Sequence, residues 1–276
     1  MARAEAFSER EVAMCTVARM VENGKTYWAA GGGTPLYSIL LGKKLYAPDA
    51  QYVTEDGVIA PEPMLPYEPM MTMLASRATY RALAWGTMNT AGIYSQLGYM
   101  DYGVLNTLQV DRYGNINSTF LGEYGAGGRR MHGPGGADTI AACCWRTILI
   151  TDQEKRKFIE KVDFISSPGF LDGSERARER AGLPRDTGPW RVVTPWAVYD
   201  YEDRELRLIA RVPWVTVDEI LAECEWKPRV ASEVQVLEPP TEDELQLLRT
   251  ELDVRGQTTD AAGGWITWDG EKYIRP

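Results

Sequence analysis

Apolar and polar positions along the chain alternate between helix-like and strand-like spacing, with glycine-rich breaks between them. Ser8 followed by Glu11 has capping-box spacing, and Val12, Cys15, Thr16, Arg19 and Met20 recur at intervals that predict an amphipathic helix ending at Asn23 and Gly24. Lys25 to Ala30 reads as a strand running into Gly31, Gly32, Gly33, Thr34 and Pro35, after which Leu36, Ile39, Leu40 and the Lys43, Lys44 pair predict a second helix. Tyr52 to Thr54 is the next run of β-formers, and it breaks into Glu55, Asp56 and Gly57. Strand, glycine loop, helix and strand make a β-α-β unit, which predicts an α/β fold with an open, largely parallel sheet and flanking helices. Both strand ends then face one crevice, bringing Gly31 to Gly33 near Glu55.

Further along, 59–69 is an irregular proline- and methionine-rich loop, expected to line a pocket or an interface. Thr79–Ala84 and Asn89–Leu97 read as helical, and Gly103–Val110 as strand. Asp111 to Thr119 is turn-rich, and Gly133, Pro134, Gly135 and Gly136 precede a helical run from Ile140 to Cys144. Thr147–Thr151 is strand, Trp190–Thr194, Ala197–Tyr201 and Arg207–Val212 alternate as hairpin material, and Val217–Glu223 and Glu242–Leu252 read as helices. Residues 1–255 are expected to form one domain, with 256–276 as a tryptophan-containing extension that packs on a neighbour.

Composition narrows the chemistry. A net charge of -9 over 276 residues argues against a phosphate-backbone partner, so no nucleic acid is expected. The N-terminus, interrupted by Glu5, Glu9, Arg10 and Glu11, resembles neither a signal peptide nor a spanning segment; no membrane partner and a cytoplasmic location are expected. With one histidine, His132, and four cysteines lacking ligand spacing, no metal site is expected and a histidine-based triad is close to excluded. Lys155, Arg156 and Lys157 are more simply a solvated face than a substrate clamp. Two glycine-rich helix starts and one acid suit thioester chemistry with backbone stabilisation of an oxyanion.

Several stretches occur in an order that resembles the family I CoA-transferases, in the B subunits of their glutaconate branch. They are Gly31 to Leu36, Tyr46 to Asp49, Glu55 to Gly57, Gln109 to Thr119, Gly133 to Ala137, Glu154 to Phe158 and Ser166 to Gly173. The resemblance implies a CoA thioester as substrate, no cofactor, a homologous A subunit as partner in a hetero-oligomer, and a carboxylic acid as acceptor. It implies that Glu55 is catalytic, carrying CoA as a glutamyl thioester. Gly31, Gly32, Gly33, Gly57, Gln109, Asn115, Gly135, Gly136 and Ala137 are the expected substrate, CoA or oxyanion contacts. The alternatives on this fold are an acyl-CoA hydrolase, including a ring-opening one, or a decarboxylase; a B-type chain acting only as a scaffold is the third.

Overall fold

The computed structural model describes residues 2–29, 33–66, 79–123, 127–254, 256 and 264–276. The chain forms two compact units, one built from 1–93, 212–214 and 236–276, the other from 94–211 and 215–235. Each is α/β, with the parallel strand pairs that the alternation of elements predicts flanked by antiparallel ones.

In the first unit, Thr26–Ala29 and Gln51–Val53 pair in parallel, Trp28 opposite Val53. The helix Thr34–Leu45 is the crossover between them, with Pro35 near its start and Lys43 and Lys44 in its last turn. Val58–Ile59 returns antiparallel to Gln51–Val53, and Ala84–Trp85 pairs antiparallel beyond it. Of the proline- and methionine-rich loop at 59–69, positions 67–69 lie outside the described residues. Tyr27, Trp28, Ala29, Tyr52 and Val53 are all buried, the near-continuous apolar pattern of strands covered on both faces. Helix Glu9–Ala18 carries the expected capping box, Ser8 accepting from Glu11 N–H while Glu11 accepts from Ser8 N–H. The helix ends at Ala18, a turn before Asn23. Residues 79–83 form no helix, so the helical expectation for Thr79–Ala84 is corrected; the adjoining helix is Met88–Gln96. The C-terminal strands Ile266–Trp268 and Tyr273–Ile274 pair with each other, and Ile266 and Thr267 pair with Phe7 and Ala6. The extension expected to pack on a neighbour therefore packs on the chain's own start, where the rings of Phe7, Trp214 and Tyr273 meet at 5.1–5.4 Å.

A buried ion pair helps tie this unit together. Arg19 Nε and Nη2 donate to Glu244 at 2.8 and 2.6 Å, Tyr46 adds its hydroxyl at 2.7 Å, and the Glu244 side chain is fully buried. Burial alone would raise the Glu244 carboxyl, but the hydrogen bonds from Arg19, the Thr241 backbone and Tyr46 outweigh it and hold the group below the ordinary glutamate value. A depressed folded-state pKa gives stability that is present above the unfolded value and is lost as pH falls through the folded one. Urea melts of wild type and Glu244→Gln should therefore differ at neutral pH and converge on acidification below the ordinary glutamate range; a constant difference would assign the effect to packing instead.

The second unit orders its strands Arg229–Val236, Glu205–Arg211, Ala197–Glu202, Pro189–Val193, Arg146–Ile150 and Tyr102–Asn106. Arg146–Ile150 lies parallel to both Tyr102–Asn106 and Pro189–Val193, while Ala197–Glu202 is antiparallel to each neighbour. Helix Ala137–Cys143 leads back into Arg146–Ile150. All four cysteines are buried and free. Burial pushes each thiol up, Cys224 to about 12, which disfavours a thiolate nucleophile. Among the described residues no helix is long and apolar enough to cross a membrane, and no cluster of His, Cys, Asp or Glu could hold a metal ion.

Candidate active site

Glu55 stands in the tight turn between Gln51–Val53 and Val58–Ile59, half-buried. It lies just past the carboxyl end of a parallel strand, where open α/β sheets place ligands. Thr54, 1% exposed, fastens the turn. Its N–H donates to the Val58 carbonyl and its carbonyl accepts from Gly57 N–H, both at 3.0 Å; its hydroxyl accepts from Val58 N–H at 3.0 Å and donates to the Asp56 carboxylate. Asp56 is thus folded back onto the turn that carries Glu55.

Gly57 has φ +90°, and a Cβ there would lie 1.9 Å from the Thr87 carbonyl oxygen. The 86–87 backbone is laid across the turn, Gly86 N–H donating to the Gly57 carbonyl at 3.0 Å. Thr87 is itself stapled to Thr90, whose hydroxyl accepts from Thr87 N–H at 2.8 Å. Gly57 therefore shapes the turn and its N–H is already taken, which removes it from the expected oxyanion donors. Gly33, φ +75°, is the N-cap of Thr34–Leu45, past the end of the strand beside Glu55's own. Gly31 and Gly32 lie outside the described residues.

In the second unit, Gln109–Val110 and Ile116–Asn117 form a small hairpin around the Asp111–Asn115 turn. Burial pushes the Asp111 carboxyl up, against hydrogen bonds from Asn115 and the backbone that lower it. The Asn115 amide nitrogen donates to Asp111 at 2.9 Å and to Leu171 O at 2.8 Å, and its oxygen accepts from Gly169 N–H at 2.9 Å and Leu171 N–H at 3.1 Å. Every good position of that amide is filled, so Asn115 acts as a clamp on this turn. The clamp explains the Ser-Ser-Pro-Gly stretch: a Cβ on Gly169 would sit 2.2 Å from the Gly114 carbonyl carbon. Arg178, 7% exposed, holds the other side. Its guanidinium donates to the carbonyls of Pro168, Gly169, Ala141 and Ala142 and to Thr187 Oγ1 at 2.7–3.1 Å. Burial without a carboxylate lowers its pKa to about 10.

Gln109 accepts from Asn117 at 2.7 Å. Ala137 N–H is taken by Pro134 O at 3.0 Å, so of the two residues Gly135 and Ala137 only Gly135 keeps an N–H without a protein partner among the described residues. Gly136 is the N-cap, its carbonyl accepting from Ile140 N–H at 3.0 Å. Residues not foreseen complete this group. Ser166 Oγ accepts from Ser118 N–H at 2.9 Å and donates to Thr119 Oγ1 at 2.7 Å, and Gly133 N–H donates to Ser118 O at 2.9 Å. Ser118, 6% exposed, has a buried hydroxyl with no hydrogen-bond partner among the described residues. A buried hydroxyl left unpaired costs about 1–3 kcal/mol. The basic stretch resolves as a paired surface: Arg156 bonds Glu154 and Lys157 bonds Asp152. A cavity of about 1050 Å³ adjoins the clamp, where Arg112, Lys161 and Arg180 face Glu160, Asp172 and Glu225.

The sequence profile described as coenzyme A transferase matches residues 68–223. The B subunit of glutaconate CoA-transferase from Acidaminococcus fermentans is 30% identical, over 90% of this chain and 93% of that one. The glutaconate CoA-transferase crystal structure superposes with a TM-score of 0.82 at 27% identity, covering 92% of this chain and 98% of that one. The B subunit of 3-oxoadipate CoA-transferase from Pseudomonas knackmussii is 32% identical over 94% of this chain and 97% of its own length. The cholesterol ring-cleaving hydrolase IpdB subunit of Mycobacterium tuberculosis is 27% identical over 63% of this chain and 64% of its own. Matched over more than half its length by the family profile and over nine-tenths by a relative at 30% identity, the chain belongs to the coenzyme A transferase family.

Proposed function

We propose that the chain is the B subunit of an acyl-CoA:carboxylate CoA-transferase and that Glu55 carries the covalent chemistry. The observation that carries this reading is a glutamate in a turn rigidly closed by Thr54 and Gly57, past the end of a parallel strand. The Glu55 carboxylate attacks the thioester carbonyl, the C–S bond breaks, and CoA thiolate leaves a mixed anhydride. The thiolate then attacks the glutamyl carbonyl and releases the acyl group as a free carboxylate, leaving a glutamyl-CoA thioester. An acceptor carboxylate runs the same steps in reverse. Each tetrahedral intermediate bears an oxyanion, which hydrogen-bond donors aimed at that oxygen would stabilise.

A homologous A subunit is the proposed partner. Relatives that are themselves named as B subunits support it, as do Leu83, Trp85, Met88 and Ile93, large apolar side chains 50–80% exposed on the segment following the Glu55 hairpin. Exposed apolar side chains in this number mark an interaction surface.

The test is peptide mass mapping of the assembled complex after brief exposure to acyl-CoAs, with a borohydride or hydroxylamine trap. An adduct on the Glu55 peptide, formed without acceptor and discharged by adding one, is expected. Consumption of acyl-CoA with Glu55 never modified would hand the reaction to hydrolysis or decarboxylation.

A further inference from the structure

The amino-terminal ends of the parallel strands in the second unit carry a side-chain cluster that CoA transfer does not use. Arg146 opens its strand directly opposite Tyr102, the first residue of the neighbouring strand. On the other side the ladder slips: Thr147 faces Pro189 but Ile148 faces Arg191, leaving Trp190 as the extra residue of a bulge. Bulges re-aim a side chain and recur beside functional sites. Here the bulge sets the Trp190 ring 5.4 Å from the Tyr102 ring. The Arg191 guanidinium lies 4.3 Å from the Trp190 ring centre and that of Arg146 lies 5.3 Å from it. Arg146 Nη1 also donates to Tyr102 Oη at 2.9 Å, and Arg191 Nη1 to Trp190 O at 2.9 Å.

Two guanidinium groups are thus fixed on one indole, and neither has a carboxylate within 4.0 Å among the described residues. The acid nearest in influence on Arg191 is Asp200, but Arg207 holds both of its oxygens, at 2.9 and 2.7 Å. Burial first, and then the like charge of Arg146, lower the Arg191 pKa. A chain of net charge -9 has acids in surplus, so a doubly positive cluster with no carboxylate bonded to it points to a charge supplied from outside.

We propose that Arg146 and Arg191, held on Trp190 and Tyr102, form a binding site for the phosphoryl group of a small ligand. Two planar forks with a combined charge of two match a dianionic phosphoryl better than a single carboxylate, and both bind its oxygens bidentately. The site is separate from the Ser118 group. Tyr102 and Asn106 are the two ends of one strand, about 13 Å apart at the usual rise, and Gln109 and Ser118 follow the far end.

Isothermal titration of the full chain with inorganic phosphate and with adenosine 3′-monophosphate, at ionic strength fixed with sodium chloride, tests the site. Saturable phosphate binding absent with chloride is expected, weakened about tenfold in R146Q or R191Q and lost in the double variant. Trp190→Leu should also weaken it, though both charges remain, because the platform is gone. The paired lysine variant should bind more weakly than wild type while melting at the same temperature. Equal affinity for both probes identifies free phosphate as sufficient; tighter binding of the nucleotide identifies a phosphoryl carried on a larger molecule. No heat beyond the chloride control, or unchanged affinity in the double variant, overturns the assignment.

Discussion

Glu55→Gln should reduce CoA transfer by at least about 10³-fold while leaving the complex assembled. The amide keeps the shape and removes the nucleophile, and a covalent mechanism has no alternative route for the acyl carbon. The turn should survive, because the bonds that close it come from Thr54, Gly57 and Val58 N–H groups and the Thr54 hydroxyl. Glu55→Asp keeps the charge but draws the carboxylate back by one methylene, a displacement expected to cost about 10²-fold. Trapping should find no adduct in Glu55→Gln and a slow one in Glu55→Asp. Turnover of Glu55→Gln within tenfold of wild type would remove Glu55 from the chemistry and favour a scaffold role.

Gly57→Ala is expected to be the most destabilising single change near the site, about 2–5 kcal/mol. Two costs add: holding an alanine at φ +90°, and forcing its Cβ against the Thr87 carbonyl, 1.9 Å away in the present backbone. Gly24→Ala supplies the control, since φ is +69° there but nothing lies within 4 Å, and only the conformational cost of about 1 kcal/mol remains. Urea denaturation of both variants separates the terms. Because Thr87 must retreat for the methyl group, Glu55 moves with its turn and activity should fall more than the folded fraction does. Equal destabilisation at the two positions would mean that the 86–87 segment yields freely and does not hold the turn.

Much of the first unit is legible in residue order because its signals are local. The Ser8–Glu11 cap joins positions three apart, the glycine, threonine, proline run sits at a helix start, and a short run of β-formers ending in Glu55, Asp56 and Gly57 makes a turn. The caps at Thr216 and Thr241, each closed by a glutamate three residues on, have the same local signature and went unforeseen. The strand Arg229–Val236 had no such signature: most of its residues are exposed, so few apolar positions mark it. The helical expectation at Thr79–Ala84 failed because Ala84 and Trp85 find a ladder partner in Val58–Ile59, twenty-five residues earlier.

At the candidate site the division is sharper. Residue order alone determined the α/β class, the glutamate at the strand end and the resemblance to a CoA-transferase, since each depends on neighbours along the chain. Which polar groups remain available was decided only by tertiary structure. Gly169 and Leu171 filled the Asn115 amide, and Thr54 and Pro134 took the N–H groups of Gly57 and Ala137. A hydrogen-bonding group is open to a substrate only when no part of the protein satisfies it, and the parts that could do so lie up to 56 residues away in sequence.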